Sequence, residues 1–118
     1  MKKLLIVILI TLVLLIHAYN SFAGSKSSGV KTADGVITSA SCILTAVTIL
    51  DDGTNSATLI LYDHASAASG NVVFKMKAGG GDNSTIRDIG TPINCALGLY
   101  ADVTTSGTVE FLVEYVQK

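Results

Sequence analysis

The sequence predicts an all-β protein: an antiparallel two-sheet β-sandwich or jelly roll of about seven or eight strands, preceded by an N-terminal hydrophobic leader helix. Three observations carry this. Beyond residue 34, Val, Ile, Thr and Leu dominate, and Gly and Asp/Asn clusters interrupt them at short intervals. Apolar and polar residues alternate along 72–77 and 109–116. No window of this part repeats apolar residues at helical spacing between plausible caps.

The chain opens MKKLLIVILITLVLLIHAYNSFAG. Lys2 and Lys3 make a basic start, 4–16 is apolar apart from Thr11, and Ser21-Phe22-Ala23 puts small residues at the two positions a signal peptidase inspects. Residues 1–23 are therefore expected to be an export signal cut after Ala23, which places the protein outside the cell or on a cell or virion surface. Spanning a bilayer takes about 20 mostly apolar residues, and this run meets His17, Asn20 and Ser21 first. Retention as an uncleaved anchor is the alternative, and the leader would then be the chain's membrane contact. Residues 24–34, beginning GSKSSG, are expected to form a flexible arm. Residues 35–118 make one β-sandwich domain, small for a single core.

Removing the leader takes away two lysines, so the formal charge of −1 becomes −3. The remaining cations, Lys26, Lys31, Lys75, Lys77, Arg87 and Lys118, form no stripe, which argues against nucleic acid as a partner. Two His and no Trp supply little for metal or base-stacking chemistry, and no cofactor is expected.

Strands are expected near 35–38, 42–50, 57–62, 72–77, 85–89, 93–94 continuing to 97–104, and 108–116. Successive strand residues face opposite sides, so Val72, Phe74 and Met76 should point in and Lys75 and Lys77 out. In the last strand Val109, Phe111, Val113 and Tyr115 share the inner face, with Glu110 and Glu114 opposite. Leu112 and Val116 leave that outer face partly apolar and are the candidate interface. CILTAVTIL, apolar on both faces, reads as a central strand covered on both sides.

The stretch LILYDHASAASGNVVF sets an aspartate, a histidine and three serines between two apolar runs. Asp63 and His64 are adjacent and project to opposite faces of an extended backbone, so Asp63 cannot orient the imidazole as a catalytic base. Small, turn-forming residues make 63–71 a loop. DDGTN, 51–55, concentrates oxygen ligands but lacks the ligand spacing of an EF-hand, and an Asp-Gly pair between apolar runs reads as a hairpin turn. AGGGDNS, 78–84, has no Lys-Ser or Lys-Thr and no following helix, so it is a loop tip and not a phosphate loop. Asn83-Ser84-Thr85 matches a glycosylation acceptor. No catalytic, cofactor-binding or metal residues are assigned.

Cys42 and Cys95 are an even pair in a chain with an export signal, which permits a disulfide. Two separately buried thiols, each a small apolar core residue, are the other reading. Sequence does not decide between them, because it leaves the Cα separation open.

The order ILDDGTNSATLILYDHASAASGNVVFKMK, a polar loop, then TPINCALGLYADVTTSGTVEFLVEYV resembles small jelly-roll-like β-sandwich proteins of tailed-phage and other viral genomes, of head-decoration or fibre-associated type. It covers about 35–116, and its most specific pieces are DGTNSAT leading to LYD and GLYADVT leading to the final strand. The resemblance implies a virion surface component and brings no catalytic residues. A leader fits this role on a membrane-containing virus, or on a cellular protein using the same sandwich outside the cell.

Three functions follow as expectations. The first is a non-enzymatic structural or surface-interaction protein, self-associating as a homo-oligomer, lattice or filament through strand edges and the face around Leu112 and Val116. The second is a secreted binding module touching a carbohydrate or receptor through loops 63–71 and 78–84, with Tyr62, His64 and Tyr100 as loop contacts. An enzyme, the third, needs a nucleophile, base and orienting acid that no plausible neighbours supply.

Overall fold

The computed structural model describes residues 24–79, 81 and 85–118, and the leader with its expected helix lies outside them. Eight strands follow in chain order: β1 (Ser25–Ser27), β2 (Gly35–Thr38), β3 (Cys42–Asp51), β4 (Ala57–Asp63), β5 (Asn71–Ala78), β6 (Thr85–Cys95), β7 (Leu99–Thr105) and β8 (Val109–Gln117). Among the described residues there is no helix. The strands form two antiparallel four-stranded sheets, ordered β1-β8-β3-β6 and β2-β7-β4-β5.

Alternation explains how these sheets meet. Leu44, Val47, Ile49, Phe111 and Val113 of the first sheet and Leu59, Leu61, Leu99 and Ala101 of the second are buried in one cluster. Full burial of a side chain the size of Leu or Phe stabilises by about 1.5–3 kcal/mol each, so this shared layer holds the sheets face to face. A bulge between Leu44 and Ala46, at Thr45, resets the phase of β3, so Leu44 and Val47, three apart, both face in.

Three expectations change. Residues 24–34 are not a free arm: Ser25, Lys26 and Ser27 pair with Val116, Tyr115 and Glu114, and Lys31 exchanges two backbone hydrogen bonds of 2.8 Å with Phe111. The edge of β8 presents backbone groups that need partners, and the polar stretch SKS supplies them without any apolar alternation to announce it. Strand β6 runs unbroken through Gly90 and Pro92, because it is an edge strand, where a proline's missing N–H costs no ladder bond. It ends at Cys95, and 96–98 turn the chain before β7. Val72 points outward and is 55% exposed: a register shift opposite Leu61 and Tyr62 places Phe74 against Leu61 but Val72 against Tyr62. Val73 and Phe74 then both pack on the core.

The connection after β3 also differs from the expected hairpin. Strands β3 and β4 lie in different sheets, so 52–56 arches across the end of the sandwich. Among the described strands, β4 and β5 are the only consecutive pair that are neighbours in one sheet. Among the described residues no further sheet covers the outer side of β3: Ile43, Ala46 and Thr48 are half-buried and Leu50 is exposed.

Candidate functional site

Asp63 and His64 each take backbone donors. The Asp63 carboxylate accepts the backbone N–H groups of Ala96 at 3.0 Å and Leu97 at 2.8 Å, clamping the β6–β7 turn to the end of β4. The His64 Nδ1 accepts from the backbone N–H groups of Ser66 at 3.1 Å and Ala67 at 3.0 Å, so it serves the fold of its own loop. Carboxylate and imidazole are each turned onto backbone donors, not onto one another or a serine hydroxyl.

The DDGTN segment divides its two carboxylates. Asp52 accepts from the Asn55 N–H at 2.7 Å, the Asn55 side-chain amide at 3.0 Å, the Thr54 N–H at 2.9 Å and the Thr108 N–H at 3.2 Å. Hydrogen bonds from Asn55 backbone, Asn55 side chain, Thr54 and Thr108 hold its carboxyl well below the usual range. It thereby ties the β3–β4 arch to the β7–β8 turn. Asp51 is buried; its Oδ1 accepts from the Gly53 N–H at 2.8 Å, and its Oδ2 has no hydrogen-bond partner among the described residues. It borders an open cleft of about 540 Å³ lined also by Thr32, Leu50, Thr105, Thr108 and Glu110. No group of three or more His, Cys, Asp or Glu among the described residues has the geometry to hold a metal ion.

Cys42 and Cys95, 53 positions apart in the sequence, are directly opposed partners on β3 and β6. Both are fully buried thiols on the inner face. Hydrogen bonding to Cys42, with burial adding to it, pushes the Cys95 thiol up.

The candidate interface residues lie on the outer face of the first sheet. Val116 is aligned across the strands with Ser25 and Ile43, and Leu112 with Thr48. Leu112 lines a shallow, almost wholly apolar groove of about 220 Å³ with Val30, Thr48, Leu50, Glu110 and Phe111. Val30 is 63% exposed and Leu50 37%. Sequence reasoning missed both, since Val30 comes from the segment read as an arm and Leu50 from the strand read as covered.

The candidate loop contacts Tyr62 and Tyr100 are on strands, and the register makes them direct partners on the outer face of the second sheet. Val36 pairs with Tyr100 and Val72 with Tyr62, so Val36, Tyr100, Tyr62 and Val72 form one row across all four strands. The valines are 41% and 55% exposed. His64 stands in the loop directly after β4, near this row. The glycosylation match at 83–85 and most of the 78–84 loop tip fall outside the described side chains. Comparison with protein-family models, with curated proteins and with solved structures finds no match for the chain.

Proposed function

We propose that the protein is a non-enzymatic surface scaffold: an exported jelly roll, presented on a cell or virion, that associates with further copies of itself through the outer faces of its sheets. The strand order β1-β8-β3-β6 facing β2-β7-β4-β5 supports the jelly-roll reading. Viral capsid domains and lectins share that architecture, so the fold alone does not choose the role. The observation that carries the proposal is the apolar groove of Val30, Leu50 and Leu112 on a sheet face that nothing in the chain's described part covers.

Charge selects the mode of association. Glu110 and Glu114 flank Leu112, whereas the exposed lysines Lys75 and Lys77 stand on β5 of the other sheet. Two first-sheet faces would oppose like charges; a first-sheet face against the second-sheet face of the next copy sets Glu110 and Glu114 against Lys75 and Lys77, whose two cations outnumber the one acid, Asp102, in the Lys75–Ile60 row. Such head-to-tail contact does not close on itself after two copies, and it builds a ring or an open filament. Sedimentation velocity over a concentration series tests this. The native chain should self-associate, less so at high salt; Leu112→Lys and the pair Lys75→Glu, Lys77→Glu should each stay monomeric with unchanged circular dichroism. If Leu112→Lys leaves both fold and association untouched, the groove is not the contact.

The Tyr62–Tyr100 row favours a second reading, a binding module for a carbohydrate or receptor, because paired outward tyrosines flanked by valines offer a flat amphipathic platform. A native chain that stays monomeric, yet loses ligand binding on Tyr100→Ala, would choose this reading over the first.

A further inference from the structure

We propose that Cys42 and Cys95 are a modification site, oxidised to a cross-strand disulfide that locks the edge strand β6 to β3. Register carries the inference. Directly opposed residues of an antiparallel pair have Cα atoms about 4.5 or 5.5 Å apart, depending on whether the pair is hydrogen-bonded, and both separations fall in the range of about 4.4–6.8 Å that a disulfide spans. Both side chains are fully buried and so point to the same side of their sheet, which bridging also requires.

The setting gives the bond a purpose. Among the described residues strand β6 is paired on one side only, and its last residue is Cys95. Cys42 begins β3 and is paired on its other side with Gln117 of β8, while the Lys118 N–H donates to the Ser41 carbonyl at 3.1 Å. A bridge here closes one end of the sheet across three strands, beside the turn that Asp63 already clamps.

Oxidation proceeds by thiol–disulfide exchange with a small disulfide such as glutathione disulfide. One cysteine thiolate attacks a sulfur of the reagent, forming a mixed disulfide and releasing one glutathione thiolate; the second cysteine displaces the other. Two thiols lose two protons and two electrons, and the reagent is reduced to two thiols. Because neither sulfur is exposed in the folded chain, the exchange occurs before β6 closes on β3, and the finished bond is shielded from reductant. The proposal rests on the export reading only for the supply of oxidant in the cell.

The full chain, reduced and unfolded, is refolded with glutathione disulfide and then unfolded in an alkylating reagent. Intramolecular bridging leaves both cysteines unlabelled until reduction, lowers the intact mass by two hydrogens, and yields one proteolytic product joining Cys42 to Cys95. The bridged form should unfold at higher denaturant than the reduced form, and the double variant Cys42→Ala, Cys95→Ala should show no response to reductant. Full labelling without reduction, glutathione on both cysteines, or chains joined to one another would overturn the proposal. This comparison uses the native sequence, so it stands if the variant fails to fold. Labelling of protein taken directly from expressing cells reports the compartment separately: a chain that bridges on refolding but is reduced in the cell counts against export and not against the site.

Discussion

Replacing Gly98 by alanine tests the packing that places Tyr100. Gly98 is buried in the β6–β7 turn with φ of +137°, where side-chain-bearing residues are strained by about 1–3 kcal/mol. A Cβ at this position would lie 2.6 Å from the Thr38 carbonyl oxygen, 3.1 Å from the Ala65 Cα and 3.3 Å from the Ser39 carbonyl carbon. All three are backbone atoms, one at the end of β2 and two in neighbouring connectors, so no side chain can swing aside. The strain and the displaced backbone together should cost about 3 kcal/mol or more. In a domain of this size that lowers Tm by roughly 12–24 °C, at about 4–8 °C per kcal/mol. Gly70→Ala is the internal control: its φ is +82°, but the nearest atoms are 3.6 and 3.8 Å away, in ordinary contact. It should lose about 1 kcal/mol, from the backbone conformation alone. Thermal unfolding followed by circular dichroism reads both. If Gly98→Ala melts within about 4 °C of the native chain, or loses less than Gly70→Ala, the turn does not press on the β2–β3 and β4–β5 connectors as described.

Two further outcomes follow from the carboxylate clamps. Asp63→Ala leaves the Ala96 and Leu97 N–H groups without their charged acceptor, and at about 1 kcal/mol for each partly exposed hydrogen bond it should destabilise the chain by about 2 kcal/mol in denaturant unfolding; a change under about 0.5 kcal/mol, the scatter of ordinary surface substitutions, would show the clamp idle. Hydrogen bonds from the Asn55 backbone first, and then from Asn55, Thr54 and Thr108, depress the Asp52 carboxyl, so its stabilisation is present above the unfolded carboxylate value of about 3.9 and is lost as pH falls towards the folded one. Between about pH 6 and pH 3 the native denaturation midpoint should therefore fall further than that of Asp52→Asn, and equal falls would dismiss this carboxylate as the acid-sensitive tie.

The all-β class, the inward face of β8 and the loop character of 64–70 were legible because each rests on local pattern: alternation in VEFLVEYV, and small polar residues ending in Gly70 just before β5. What was not legible depends on partners distant in the sequence. The bulge that turns Val72 out is set by pairing with Tyr62, which no period-two reading of NVVFKMK contains. Ser25–Ser27 became a strand because the edge of β8, some ninety residues later, needed partners. Similarly, Tyr62 and Tyr100 were each visible as candidates, but their row with Val36 and Val72 exists only once β2, β7, β4 and β5 are laid side by side.

Topology also accounts for how the polar clusters at the ends of the sandwich are used. Six of the seven connections pass from one sheet to the other, so every end of the sandwich is a place where two or three connectors must be held together. Acidic side chains in or beside those connectors accept backbone donors from elsewhere: Asp34 accepts the Val103 N–H at 2.7 Å, Asp52 the Thr108 N–H, and Asp63, at the end of β4, the Ala96 and Leu97 N–H groups. A carboxylate so engaged contributes rigidity and is poorly placed to shuttle protons. The groups left with surface and no such duty are on the sheet faces: Leu112 and Leu50 with Glu110 and Glu114 on one side, Tyr62 and Tyr100 with Val36, Val72, Lys75 and Lys77 on the other. Ends built as clamps and faces left partly apolar are the arrangement on which the proposed face-to-face association rests.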